Sequence, residues 1–183
     1  MQIRVIKKEL MYEDIQIGDT DSFTKTITDY DIVQFARVTG DFNPVHLDPE
    51  YAKKTPFKER IAHGLLSGSI ISTVLGMRLP GVNTIYLSQN FKFLLPVKIG
   101  DTIKANVEVV EKRDDKNIIR LKTQVLNQQQ EVVVDGEAVV MKRYEVKRKI
   151  GFINGQKWKR SGREGISLPN KWSSYPSDCQ RST

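Results

Sequence analysis

Hydrophobic and polar positions alternate with a period of two over three runs in the second half of the chain. Ile85, Leu87, Phe91 and Phe93 are separated by Tyr86, Ser88, Asn90 and Lys92. Ile103, Ala105, Val107 and Val109 alternate with Lys104, Asn106 and Glu108, and Ile119, Leu121, Thr123 and Val125 with Arg120, Lys122 and Gln124. This pattern predicts strands that turn one face to a core. The run Val132 to Met141 is more continuously apolar, as a central strand would be. The separators Gly100-Asp101, Asp114-Asp115-Lys116-Asn117 and Asn127-Gln128-Gln129-Gln130 carry turn chemistry, and their shortness implies antiparallel neighbours.

The first half changes period. Asp21 to Thr26 reads as a strand leading into a helix. Thr28 is the expected N-cap, with Asp31 three residues on as its capping-box partner, and Ile32, Val33, Phe35, Ala36 and Val38 as the apolar face. Gly40 is placed to stop this helix. Pro44 biases Asn43 away from helical geometry, and Asp48-Pro49 opens a short second helix through about Lys53. From Leu65 to Leu79 the apolar residues surround the helix instead of forming one stripe, which predicts burial. Gly68 and Gly76 each weaken it by roughly 1 kcal/mol, which predicts close approach to a neighbouring backbone. The sum is an α+β domain, a curved antiparallel sheet with one long buried helix against it.

Charge divides the chain. Residues 1–141 hold 18 Lys/Arg against 19 Asp/Glu, net −1, whereas residues 142–183 hold 11 against 3, net +8. The overall +7 therefore belongs to the last segment. The body has no electrostatic footprint for nucleic acid, and aromatic and basic residues are not interleaved on its strands. We take residues 1–146 as the domain and 147–183 as a basic, flexible tail, a candidate contact for an acidic carrier protein. The one cysteine, Cys179, excludes an intrachain disulfide and a cysteine zinc cluster. No apolar run reaches the roughly 20 residues needed to cross a bilayer. Residues 1–12 lack the apolar core of a signal peptide, so a cytoplasmic protein is expected.

Candidate chemistry concentrates in Asp41-Phe42-Asn43-Pro44-Val45-His46. A carboxylate and one of the chain's two histidines stand five residues apart, across an Asn-Pro step that restricts the backbone. Such a segment can bring both groups to one water, an acid/base centre. Asn43 is suited to hold the turn by bonding backbone with its side chain. Gly64, at the start of the long helix, offers an unpaired amide at the positive end of a helix dipole. His63 before it is expected to shape the loop.

Three segments together resemble the MaoC-like hydratases of hotdog fold, and within them the (R)-specific enoyl-CoA hydratases. These are Gly40-Asp41-Phe42-Asn43-Pro44-Val45-His46, Ile61-Ala62-His63-Gly64-Leu65-Leu66 and Phe93-Leu94-Leu95-Pro96-Val97-Lys98-Ile99-Gly100-Asp101. The resemblance spans about Leu10 to Met141 and implies a hydro-lyase that interconverts trans-2-enoyl-CoA and (R)-3-hydroxyacyl-CoA. It implies Asp41 and His46 as the catalytic pair, Gly64 as the oxyanion amide for the thioester, and Asn43 and Ser72 as supporting residues. It also implies a homodimer, no metal, and no cofactor beyond the coenzyme A or carrier thioester of the substrate. A 3-hydroxyacyl-[acyl-carrier-protein] dehydratase and a non-catalytic thioester-binding hotdog module are the alternatives.

Overall fold

The structure, a computed structural model, describes residues 10–143 and the backbone of residues 152–153 and 156–157. The chain divides into two units, Met1–Glu145 and Val146–Thr183. In the second, β6 (Phe152–Ile153) and β7 (Gln156–Lys157) pair antiparallel. The rest of the expected tail lies outside the described residues.

In the first unit a one-turn 3-10 helix (Tyr12–Asp14) precedes β1 (Thr20–Thr26), α1 (Asp29–Thr39), α2 (Pro44–Leu47), α3 (Pro49–Ala52) and α4 (Gly64–Met77). Strands β2 (Thr84–Phe93), β3 (Thr102–Arg113), β4 (Ile118–Leu126) and β5 (Val132–Lys142) follow. The five strands form one antiparallel sheet in the order β1-β3-β4-β5-β2. Register breaks interrupt β2–β5, β3–β4 and β4–β5, and such bulges bend strands and increase their twist. Helix α4 packs across β1–β4. Its Ile71, Val74 and Leu75 meet Ile103, Val107, Ile119, Leu121 and Val140 in one core. The alternation in β3 and β4 holds: Ile103, Ala105, Val107, Val109, Ile119, Leu121, Thr123 and Val125 are buried, with exposed or half-buried polar residues between.

The structure departs from the expected pattern in β2, α4 and α1. In β2, Tyr86 pairs with Val140 and Ser88 with Val139, so Leu87 is an extra residue in the strand. The bulge breaks the alternation there. Ile85, Tyr86 and Leu87 are all exposed. Helix α4 is not buried all round, because Leu65 (58% exposed), Ser69 and Ser72 stay open on one side. Its two glycines differ also: a Cβ at Gly68 would lie 2.9 Å from the Phe91 ring, whereas one at Gly76 meets nothing within 4 Å. Close approach explains Gly68, against a side chain instead of backbone, and does not explain Gly76. In α1, Ile32 and Ala36 are buried but Val38 is 85% exposed.

Candidate active site

Helix α1 delivers the chain to the site. Thr28 and Asp31 form the capping box, and Gly40 ends the helix at φ 77°, a left-handed turn that glycine adopts without strain. Asp41 follows, exposed, its Oδ1 accepting from Asn43 N at 3.2 Å. Asn43 Oδ1 accepts from Val45 N at 3.3 Å and caps α2, with Pro44 at its first position. The Asn-Pro step thus opens a helical turn instead of a plain loop, because a proline there needs no amide partner. His46 sits in that turn, 9% exposed.

Two neighbours fix His46. Its Nδ1 lies 2.9 Å from Ile61 O; a carbonyl only accepts, so Nδ1 carries the proton and Nε2 is left bare. Ile61 is itself held by a bridge to Lys98, and Ala62 N donates to Val97 O at 2.7 Å. Arg60 donates from Nε to His46 O at 2.7 Å and pairs with Asp29 of α1 at 2.7 Å. Burial above all, then the adjacent His63, holds the His46 imidazole below its ordinary value of 6.5, against the Ile61 bond and Asp41, which raise it. The ring is therefore neutral at pH 7, with a free lone pair.

His63, the N-cap of α4, is 2% exposed and stacks on His46 with ring centres 3.8 Å apart and planes 30° apart. Asp41, His46 and His63 each bring a ligand atom within 4.8 Å of the others.

Gly64 begins α4, and its amide has no acceptor within the helix. It lines a cavity of about 270 Å³ together with His46, Ser67, Phe93, Leu95 and Val134. His46 and Gly64 thus open on one space. Ser72 does not: it lines a separate apolar groove of about 460 Å³ with Phe35, Leu65, Gly68, Tyr86 and Phe91. Burial pushes the Tyr86 hydroxyl there up to about 12, so it stays a donor, bonded to Gln89 Oε1. A further cavity, about 510 Å³, lies mostly on polar strand residues of β1, β3 and β4 and contains none of the candidate residues. Sequence reasoning gave His63 only a loop-shaping part; being the chain's second histidine, beside Gly64, was the one signal that it mattered more.

Known proteins share the fold and much of the sequence. The MaoC like domain family matches residues 16–131. A 3-hydroxybutyryl-CoA dehydratase of Methylorubrum extorquens is 46% identical over 131 residues, 72% of this chain and 83% of the relative. An (R)-specific enoyl-CoA hydratase of Rhodospirillum rubrum is 46% identical over 130 residues, 71% of this chain and 90% of that one. The solved structure of an unliganded R-hydratase from Pseudomonas aeruginosa superposes with a TM-score of 0.72 at 48% identity, covering 75% of this chain and 88% of its own. With the hotdog arrangement of sheet and central helix, these matches make the chain a member of the MaoC-like family of hydratases and dehydratases.

Proposed function

We propose that this hydro-lyase adds water to trans-2-enoyl-CoA to give (R)-3-hydroxyacyl-CoA, and runs the dehydration in reverse. Asp41 and His46 act as the acid/base pair. The reading rests on one observation: an Asp41 carboxylate oxygen and a His46 nitrogen stand within 4.8 Å, inside the span that one water bridges at roughly 2.8 Å from each. The relatives' names supply the reaction class.

In the forward direction the water oxygen bonds to C3 as the C2=C3 π electrons move toward the thioester carbonyl. The pair takes one water proton and returns it to C2, so the product has gained one water. The amide of Gly64, which lines the same cavity as His46, donates to the thioester oxygen while it carries the enolate charge. Asn43 sets the turn that carries the pair. Ser72 opens on the neighbouring groove and takes a supporting part there. None of these steps asks for a metal or a redox cofactor.

The test is loss of the enoyl thioester absorbance with crotonyl-CoA, longer enoyl-CoAs and carrier-bound enoyl substrate. Turnover of the CoA series with (R) product is the expected result. Turnover of carrier-bound substrate alone makes the protein a dehydratase of carrier thioesters, and turnover of none makes it a binding module. Asp41→Asn and His46→Ala should each lower kcat by about 10²–10⁴ with circular dichroism unchanged. Near-full rate in either variant removes that residue from the pair.

A further inference from the structure

His63 touches both members of the Asp41/His46 pair without being one of them. Its Nε2 lies 3.0 Å from the backbone oxygen of Asp41, and since a carbonyl only accepts, Nε2 carries the proton. Its ring stacks on His46, and Phe35 packs against it at 5.1 Å between ring centres.

Hydrogen-bond accounting makes this an odd choice for a filler. With the proton at Nε2, Nδ1 holds a lone pair, and that atom is buried without a partner among the described residues. An unmatched buried acceptor costs roughly 1–3 kcal/mol. Stacking alone would be met by Phe without that penalty, and donation alone by Gln. Only an imidazole supplies a flat face and an edge donor together at this size.

We propose that His63 is a positioning residue for the acid/base pair: its Nε2–H locks the backbone of Asp41 while its ring face locks the plane of the His46 imidazole, so that both groups stay aimed at one water. The Ile61 bond holds His46 at one ring atom only; rotation about that bond is stopped by the face of His63. This inference rests on the reading of Asp41 and His46 as the reacting pair.

Two variants separate the contacts. His63→Gln keeps a donor toward Asp41 O and loses the ring; His63→Phe keeps the ring and loses the donor. Both are assayed with crotonyl-CoA beside wild type and Asp41→Asn. Each should lower kcat roughly 10- to 100-fold with KM changed less than about threefold, the scale of a misplacement of about 1 Å. With His63 replaced, His46 is the chain's remaining histidine, so its ring nitrogens are read without ambiguity by nitrogen-15 NMR. In wild type they should report one tautomer, proton on Nδ1; in His63→Gln, which loses the ring face, they should move toward tautomer-averaged shifts, and in His63→Phe, which keeps it, they should stay as in wild type.

Unchanged His46 signals in a folded His63→Gln, or a kcat within twofold of wild type in the folded variants, overturn the proposal. So does loss of the fold in both, since His63 would then be a core residue. If only one variant folds, it carries the test, because each isolates one contact. An inactive wild type sinks the acid/base reading by itself, and the NMR arm still decides whether His63 orders the His46 ring.

Discussion

Gly64 is the residue whose part can be isolated most cleanly, because position and amide can be varied separately. It is the first residue of α4, where a helix tolerates proline. His63 before it has φ −59° and ψ 136°, the extended conformation that a following proline requires. Gly64→Pro therefore deletes the amide and leaves the helix start in place. A Cβ there lies 3.1 Å from the Phe93 ring, so Gly64→Ala, which keeps the amide, is the control for crowding. The expected outcome is a kcat about 10²–10³ lower in the proline variant, near the loss seen on removing one oxyanion donor, with a much smaller change in the alanine variant. Equal losses in the two would mean that Phe93 crowding, not the amide, sets the rate. At this scale the sequence was readable wherever a residue's chemistry is local: Asn43 caps its own turn and Gly40 takes the left-handed bend. His63 was not readable, because its contacts to Asp41, His46 and Phe35 exist only after α1 and the start of α4 are brought together.

Elements follow the same division between local and distant causes. The capping box of α1 is local, and it forms: Thr28 Oγ1 accepts from Asp31 N at 3.2 Å, and Thr28 N donates to Asp31 Oδ2 at 2.9 Å. Lys25 adds an ion pair to Asp31 at 2.9 Å. Burial alone would push the Asp31 carboxyl up; the bonds from Thr28 and Lys25 outweigh it and hold the group below its ordinary value of 3.8. Thr28→Ala should therefore destabilise the fold by about 0.5–2 kcal/mol, read as a lower urea midpoint with unchanged slope. An unchanged midpoint would show that tertiary packing of Ile32 and Ala36, not the cap, holds this helix. Strand β2 has distant causes. Its alternation in sequence is regular, yet the pairing with β5 inserts Leu87 as an extra residue, and Ile85, Tyr86 and Leu87 are all left exposed. Nothing within β2 announces that bulge; the partner strand imposes it. The exposed side of α4 has a similar origin, since hydropathy reports which residues avoid water and not which neighbour covers them.

On the scale of the molecule, strand order was the least legible feature, because β1 joins the sheet beside β3 across a long stretch of chain. The finished sheet leaves an edge that asks for a partner. β2 pairs with β5 on one side and has no second strand neighbour among the described residues. Its Ile85, Leu87 and Phe93 are exposed, as are Leu65 of α4 and the adjoining Leu94 and Leu95. Unpaired, apolar edge strands invite association. We propose a second copy of the chain as the occupant, since the resemblance implies a homodimer and the edge is self-complementary in an antiparallel pairing. The groove that holds Ser72 and Tyr86 adjoins this edge, so pairing would convert an open trough into a walled one. Sedimentation should give twice the 20.9 kDa chain mass at micromolar concentration. Ile85→Lys places a charge on the edge at an exposed residue outside the lining of that groove, so it should yield a folded monomer. If hydratase activity falls with the dimer in that variant, the groove needs both copies; if the monomer keeps full rate, the site is complete in one chain. A wild type that sediments at the single-chain mass would remove the dimer and leave the exposed edge without an explanation.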